Sequence, residues 1–355
     1  MVPNVTLVAL HVLVTGGAGF IGSHVVDALL AAGHRVRVAD CLLPSAHERV
    51  PAYVSPEAEW LREDLRDPGA AARAVEDVHA VSHQASMVGL GVDLGDVAEY
   101  VAHNDLATAQ LLRALHARGF DGRIVLASSM VVYGEGRYSC PEHGDVPAPP
   151  RTAADLDAGR FEPRCPVCGG PLEPRAVGED APGDPRNVYA ATKLHQEHLV
   201  QAYARETAAD ALALRYHNVY GPRMPRDTPY AGVASIFRSR LAAGEAPLVT
   251  EDGGQLRDFV HVRDVARANL LALESTATGP FNVASGEPRS VGEMAHALHA
   301  ATGGETPVPH VTGAWRAGDV RHVFASVERI RRELGHAPAE SFAEGMREFA
   351  ATELR

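Results

Sequence analysis

The 355-residue chain is long enough for two domains, or for one large α/β domain with a cap over its substrate. Its 46% hydrophobic and 22% charged residues exclude broad disorder, and a formal charge of -12 excludes a nucleic-acid partner, which needs clustered lysine and arginine. An anionic nucleotide stays compatible with that charge, because a few arginines and one helix N-terminus suffice to hold it.

The apolar run from Val5 to Val14 lacks a basic flank and a cleavage site and leads straight into a glycine turn, so it reads as a strand from Leu7 to Thr15 rather than a signal peptide. An Ala/Leu helix from Gly22 to Ala32 follows and stops at Gly33, and Arg35 to Asp40 is a second strand. The alternation continues with a strand Ala80–His83, a helix from about Val97 to Arg118, and a strand Arg123–Ser128. Such alternation predicts βαβ units on a doubly wound parallel sheet, a Rossmann-type α/β fold. From Gly136 to Asp184 periodicity gives way to Pro, Gly and Arg, which reads as a long functional loop. Regularity returns with a helix Val188–Glu206 and a strand Ala211–Arg215, and then come shorter helices near 234–243, 262–273, 291–301 and 327–334. Residues 1–220 are therefore expected to form a dinucleotide-binding domain interrupted by the 136–184 insertion. Residues 221–355 are expected to form mainly a smaller α/β substrate domain, with some segments crossing back to the sheet. Four cysteines, Cys41, Cys140, Cys165 and Cys168, are too few for a disulfide framework, which points to the cytoplasm. No run of about 18 apolar residues predicts a membrane span.

Between the first strand and its helix stands Thr15-Gly16-Gly17-Ala18-Gly19-Phe20-Ile21-Gly22. Glycines at this spacing allow a tight turn, close approach of backbone to a pyrophosphate, and close helix–strand packing. Asp40 closes the second strand about 20 residues beyond them, where a carboxylate accepts from a free ribose hydroxyl and repels a 2′-phosphate. NAD is thus expected over NADP.

Tyr189 and Lys193 are four residues apart, on one face of a predicted helix. An ammonium beside the phenol is expected to lower its pKa and make it a proton acceptor near neutral pH. Upstream, Ser128-Ser129-Met130-Val131-Val132-Tyr133-Gly134 ends a strand at the carboxyl edge of the sheet, where such folds bind ligands.

With these parts assembled, the chain resembles the extended short-chain dehydrogenase/reductases, specifically the NAD-dependent epimerase/dehydratase branch that includes UDP-galactose 4-epimerase. The resemblance runs from Gly16 to about Phe349. It is carried also by Asp64-Leu65, His83-Gln84-Ala85-Ser86, Asn104 and the stretch Leu214-Arg215-Tyr216-His217-Asn218-Val219-Tyr220-Gly221-Pro222-Arg223. Arg257-Asp258-Phe259-Val260-His261-Val262, Phe281-Asn282-Val283-Ala284-Ser285-Gly286 and Arg316-Ala317-Gly318-Asp319-Val320-Arg321 complete it. The resemblance implies that Gly16, Gly19, Phe20, Ile21, Gly22, Asp40, Asp64, Leu65, Gln84, Ala85, Ser86, Asn104, Tyr189, Lys193 and His217 hold NAD. It implies that Ser129 bonds the reacting sugar hydroxyl while Tyr189 exchanges its proton. Asn218, Arg223, Arg257, Arg316 and Asp319 are expected around a nucleotide-diphosphate sugar, with hydride passing at sugar C4. Relatives pair two long helices, here 97–118 and 188–206, which implies a homodimer.

Where related 4,6-dehydratases carry an Asp-Glu pair after the strand-end serine, this chain has Met130 and Val131, which transfer no proton. Elimination is thereby disfavoured, leaving a 4-epimerase or, alternatively, a 4-ketoreductase or dehydrogenase. A non-enzymatic NAD-sensing regulator would need Ser129, Tyr189 or Lys193 to be missing. Val88 stands where the 4-epimerases place a lysine, His217 where a phenylalanine is usual, and Val323 at the position that gates 2-acetamido sugars.

Within the insertion, Cys140-Pro141-Glu142-His143 and Cys165-Pro166-Val167-Cys168-Gly169-Gly170 supply three sulfurs and an imidazole. This is the tetrahedral set that zinc prefers, and each short pair can chelate one ion. A loop so poor in hydrophobic residues is not expected to build its own core, so a structural zinc at Cys140, His143, Cys165 and Cys168 would give it order. The insertion joins the Ser129 strand to the Tyr189 helix and is expected to lie over the sugar site as a lid.

Overall fold

In the computed structural model, residues 9–354 are described apart from 45, 48, 90–93, 227–231 and 317. A seven-stranded sheet runs in the order Gly279–Val283, Asp210–Tyr216, Arg123–Ser129, Ala80–His83, His11–Thr15, Arg35–Ala39, Glu59–Leu61, and every pairing in it is parallel. Chain order reverses between His11–Thr15 and Ala80–His83, the point beside which open α/β sheets bind ligands.

Alternating side chains feed two cores. On one face Val12, Val14, Val36, Val38, Val125, Leu212 and Leu214 pack with helices Phe20–Ala31, Val262–Glu274 and Glu328–Leu334. On the other, Leu13, Val81, Ile124, Leu126 and Ala211 meet helices Pro68–Ala74, Ala107–Ala117 and Val188–Glu206. A third core of Tyr220, Phe237, Phe259, Met294, Leu298, Met346 and Phe349 joins helices 233–242, 291–301 and 342–351 to a small sheet of 218–220, 256–261 and 288–290.

Strand Glu59–Leu61 and helix Pro68–Ala74 escaped the periodicity reading because each is short. The helix nonetheless carries a start signal, since Asp67 caps it by accepting from the Ala70 N–H at 2.7 Å and Pro68 opens it. The first strand begins at His11, while the expected start at Leu7 lies outside the described residues. Helix 97–117 widens into a π-type turn over Val101–Leu106 around the buried Asn104.

The insertion departs from its sequence reading. It holds strands Arg137–Cys140, Gly144–Val146 and Glu173–Arg175, a short helix Ala153–Asp157, and its own small core of Tyr138, Cys140, Ala148, Cys165 and Leu172. Two of those five core side chains are cysteines, which composition counts as a ligand set and the fold uses also as apolar volume. Among the described residues, no helix is long and apolar enough to cross a membrane.

Candidate active site

A cavity of about 420 Å³ opens at the carboxyl edge of the seven-stranded sheet. Its wall begins with the glycine turn. Gly16 has φ +67, and a Cβ there would stand 2.7 Å from the Ala85 Cα. A Cβ on Gly22 would stand 2.2 Å from the Gly16 carbonyl oxygen. Gly19, Phe20, Ile21 and Gly22 line the cavity, and the helix starting at Phe20 has no side-chain cap, so its first N–H groups suit an anion. Asp40 braces the turn by accepting from Ala18 N–H at 3.0 Å and Leu42 N–H at 2.8 Å while lining the same cavity.

Thr15 ties the two central strands together. Its hydroxyl bonds His83 Nδ1 at 2.7 Å and accepts the N–H groups of Gln84 and Ala85, each at 3.1 Å. His83 Nε2 continues to Thr108 at 2.9 Å, and burial holds this histidine neutral, with its pKa pushed down to about 3. Gln84, Ala85, Ser86 and Met87 thereby present themselves to the cavity.

Across that space, Tyr189 stands beside the Ser129 hydroxyl, and Lys193 reaches the Ala127 carbonyl at 3.0 Å. All three of Ser129, Tyr189 and Lys193 line the cavity. Asn187 caps their helix through the Ala190 N–H at 2.8 Å, setting the phase that turns Tyr189 and Lys193 the same way. The electrostatics differ from the sequence expectation. Burial raises the Tyr189 phenol, offset in part by the Ser129 hydroxyl, and the same burial brings Lys193 down to about 7. Desolvation penalises the charged form of both groups, so in the bare pocket the ammonium does not acidify its neighbour.

Behind the strand end sits a network that sequence reading missed. Ser128 donates to Glu197, whose carboxylate takes Arg215 at 3.0 and 2.8 Å. Arg215 also donates to the Tyr133 hydroxyl at 2.9 Å, which donates to Asn282 at 2.8 Å. The carboxylates lining the cavity are Asp40, Glu63 and Asp64, all following strands on the far side of the first strand from the Ser129 strand.

This constellation agrees with what the chain is similar to. The model of the NAD dependent epimerase/dehydratase family matches residues 12–153 and 167–284. The chain belongs to that family. Among curated relatives, the dTDP-L-rhamnose 4-epimerase of Burkholderia thailandensis is 34% identical over 345 residues, 95% of this chain and 93% of that protein. Among solved structures, the UDP-glucose 4-epimerase of Thermotoga maritima with UDP-glucose has a TM-score of 0.79 at 29% identity, covering 96% of this chain and 97% of that one. The UDP-glucose 4-epimerase of Thermus thermophilus in complex with NAD has a TM-score of 0.77 at 33% identity, covering 96% and 98%.

Not every residue that the family pattern nominated reaches the cavity. Leu65, His217 and Asn218 line it, as do Asp64 and Val88. Asp64 is engaged by Arg66 at 2.7 Å, which holds its carboxyl below the usual range. The buried Oδ1 of Asn218 has no hydrogen-bond partner among the described residues, which leaves an acceptor free for a ligand. Asn104, by contrast, is fully buried and bonds Ser86, Met87 and Thr192, so it fastens the cavity wall from behind.

Arg223, Arg257, Arg316 and Asp319 also fall outside the described lining. Arg223 pairs with Asp27 at 2.7 Å over the Tyr53 ring, drawn there by a nearer carboxylate. The Arg257 guanidinium donates to the carbonyls of Leu256, Arg321 and Val320 at 2.8 to 2.9 Å, fastening one backbone segment to another. Arg316 is exposed, and Asp319, beside Arg316 and Arg257, has its carboxyl pushed up by burial. Val323 packs in a cluster with Val132, Tyr133 and Val177. The apolar wall of Met224, Val233, Ala234 and Phe259 was legible only for Phe259, through the R-D-F-V-H stretch. The insertion contributes no residue to the described lining, and the stretch missing from the family match, 154–166, falls within it. Cys140, His143, Cys165 and Cys168 converge elsewhere, with ligand atoms all within 4.8 Å of one another.

Proposed function

We propose that the chain is an NAD-dependent nucleotide-sugar 4-epimerase. One observation carries the reading: Ser129, Tyr189 and Lys193 share a cavity floored by the glycine turn, and Met130 rather than an acid follows the serine into that cavity. Proton exchange with one hydroxyl needs a phenol, whereas elimination would need further acid and base groups. The residues fit the cofactor: Gly16 and Gly22 let the turn pack against Ala85 and against itself, which a Cβ would prevent, and the uncapped helix start stands at the cavity.

NAD, held by the glycine turn, Asp40, Tyr189 and Lys193, would supply the hydride acceptor and donor for sugar C4. Ser129 hydrogen-bonds the 4-hydroxyl and aligns it with Tyr189. Tyr189 takes that proton as C4 is oxidised and gives it back to the oxygen as C4 is reduced. Lys193 is held by Ala127 in reach of Tyr189 and of a ribose, so its charge serves both. Met224, Val233, Ala234 and Phe259 keep water from the reacting carbon. Epimerisation would require the sugar to present its other face, and the largely apolar wall of Met224, Val233, Ala234 and Phe259 would resist that rotation least. Asn218, with its free acceptor, orients the nucleotide sugar.

On this reading residues 1–220 carry the cofactor and 221–355 mainly the nucleotide sugar. The exposed Leu94, Val97, Val101 and Leu106 support a homodimer built on helix 97–117 and helix 188–206. Light scattering checks it, and a clean monomer would refute it.

The testing experiment incubates purified protein, without added cofactor, with UDP-, dTDP- and GDP-hexoses and uronic acids, and follows products by NMR. Interconversion of two C4 epimers that disappears in Tyr189→Phe is expected. Turnover only when NAD or NADH is supplied and consumed would replace this reading with a ketoreductase or dehydrogenase.

A further inference from the structure

We infer that the insertion carries a structural zinc site made by Cys140, His143, Cys165 and Cys168, independent of the reaction at the cavity. All four ligand atoms lie within 4.8 Å of one another, and three of their separations match a zinc tetrahedron. Zn–S distances of about 2.3 Å and a Zn–N distance of about 2.0 Å place tetrahedral sulfurs roughly 3.8 Å apart and sulfur and nitrogen roughly 3.5 Å apart. Here Cys140 Sγ lies 3.8 Å from Cys168 Sγ, and His143 Nδ1 lies 3.4 Å from Cys140 Sγ and 3.8 Å from Cys165 Sγ. No disulfide joins the three cysteines.

Two hairpin tips bring the ligands together. Cys140 ends strand Arg137–Cys140 and pairs with Gly144, and His143 stands in the turn between them. Opposite, Arg164 bridges Pro171, so Cys165 and Cys168 occupy the tip of a second hairpin. Gly169, at φ +70, lets that tip fold back, with the Gly169 N–H on the Cys165 carbonyl and the Cys165 N–H on the Gly170 carbonyl, both at 2.9 Å.

Four protein ligands leave no open coordination position, and none of the four lines the cavity, which makes the site structural rather than catalytic. Its work follows from what the insertion holds. The core there is five side chains, two of them ligand cysteines, too little to order some 50 residues by burial alone. Yet the insertion clamps residues 319–322: Arg151 reaches the Asp319 carbonyl at 2.6 Å while pairing with Glu251 at 2.8 Å, and Glu162 takes Arg321 and His322. Metal at the hairpin tips fixes the scaffold from which these bonds are made.

The test is metal content by mass spectrometry of the full chain purified without chelator, whatever its activity. One zinc per chain is expected, released when the thiols are titrated with an organic mercurial. Replacement by cobalt should give the intense visible bands of a tetrahedral thiolate site. The Cys140→Ser/Cys168→Ser variant should lose the metal, and trypsin should then cut at Arg160 or Arg164. Should that variant not fold, mercurial release and cobalt spectra of the wild-type chain decide alone. Metal-free protein whose insertion resists trypsin, or a double variant retaining one zinc per chain, would overturn the site. Failure of epimerase turnover would leave each of these readouts unchanged.

Discussion

Lys193 donates to the carbonyl oxygen of Ala127 at 3.0 Å, a bond from the middle of one helix to the strand that ends in Ser129. It holds a lysine with almost no surface exposure, whose pKa burial brings down to about 7. An unfolded lysine keeps its proton up to about 10.4. Between those values the unfolded chain binds the extra proton, so stability rises with pH across that window. Thermal unfolding of protein stripped of its nucleotide should therefore show the wild type gaining on Lys193→Met from pH 7 to 10. The variant should fold and turn over substrate at least about a hundredfold more slowly.

On the proposed mechanism, Tyr189→Phe removes the group that exchanges a proton with the sugar hydroxyl. Turnover should fall by about 10² to 10⁴, the usual worth of a positioned acid–base group. Melting temperature should stay within a few degrees, and nucleotide should still copurify. A variant retaining more than a tenth of wild-type turnover would remove Tyr189 from the mechanism.

Gly22→Ala brings a methyl group to 2.2 Å from a backbone carbonyl that has no freedom to move away. The variant should lose about 1 to 3 kcal/mol of stability and carry much less bound NAD than wild type. Absorbance of nucleotide released by denaturation reads the second quantity. Gly33→Ala is the matched control for backbone strain, since its Cβ would meet nothing within 4 Å, and its φ of +85 costs stability but not occupancy.

Glu197 and Arg215 form a buried ion pair at 2.8 Å. Arg215→Met leaves the carboxylate uncompensated and should cost about 3 to 5 kcal/mol in chemical unfolding. Arg215→Met with Glu197→Leu should recover most of that loss, because the pair's attraction largely offsets the cost of dehydrating both charges. A double variant no better than the single would show that Tyr133 and Ser128 depend on the pair itself.

Local patterns were enough to expose much of this molecule. The glycine spacing, the acid closing the second strand and the Tyr189–Lys193 interval each depend on residues close in sequence, where backbone sterics and helix period rule. The parallel sheet was readable because strands buried on both faces alternate with helices of ordinary length. Cys140, His143, Cys165 and Cys168 were legible as two short chelating pairs, although the small sheet that brings the pairs together was not.

Where each long polar side chain finally points was decided by the tertiary structure. Arg223 found Asp27, and Arg257 found the carbonyls of Val320 and Arg321, partners that sequence spacing does not bring near. Tyr189 illustrates the same dependence: its neighbour Lys193 is written in the sequence, but the balance between charge and desolvation is set by burial, which only packing creates. Short-range order follows from the chain's own sterics and periodicity, whereas ion pairing and proton affinity depend on distance and dielectric, which exist only once remote segments have met.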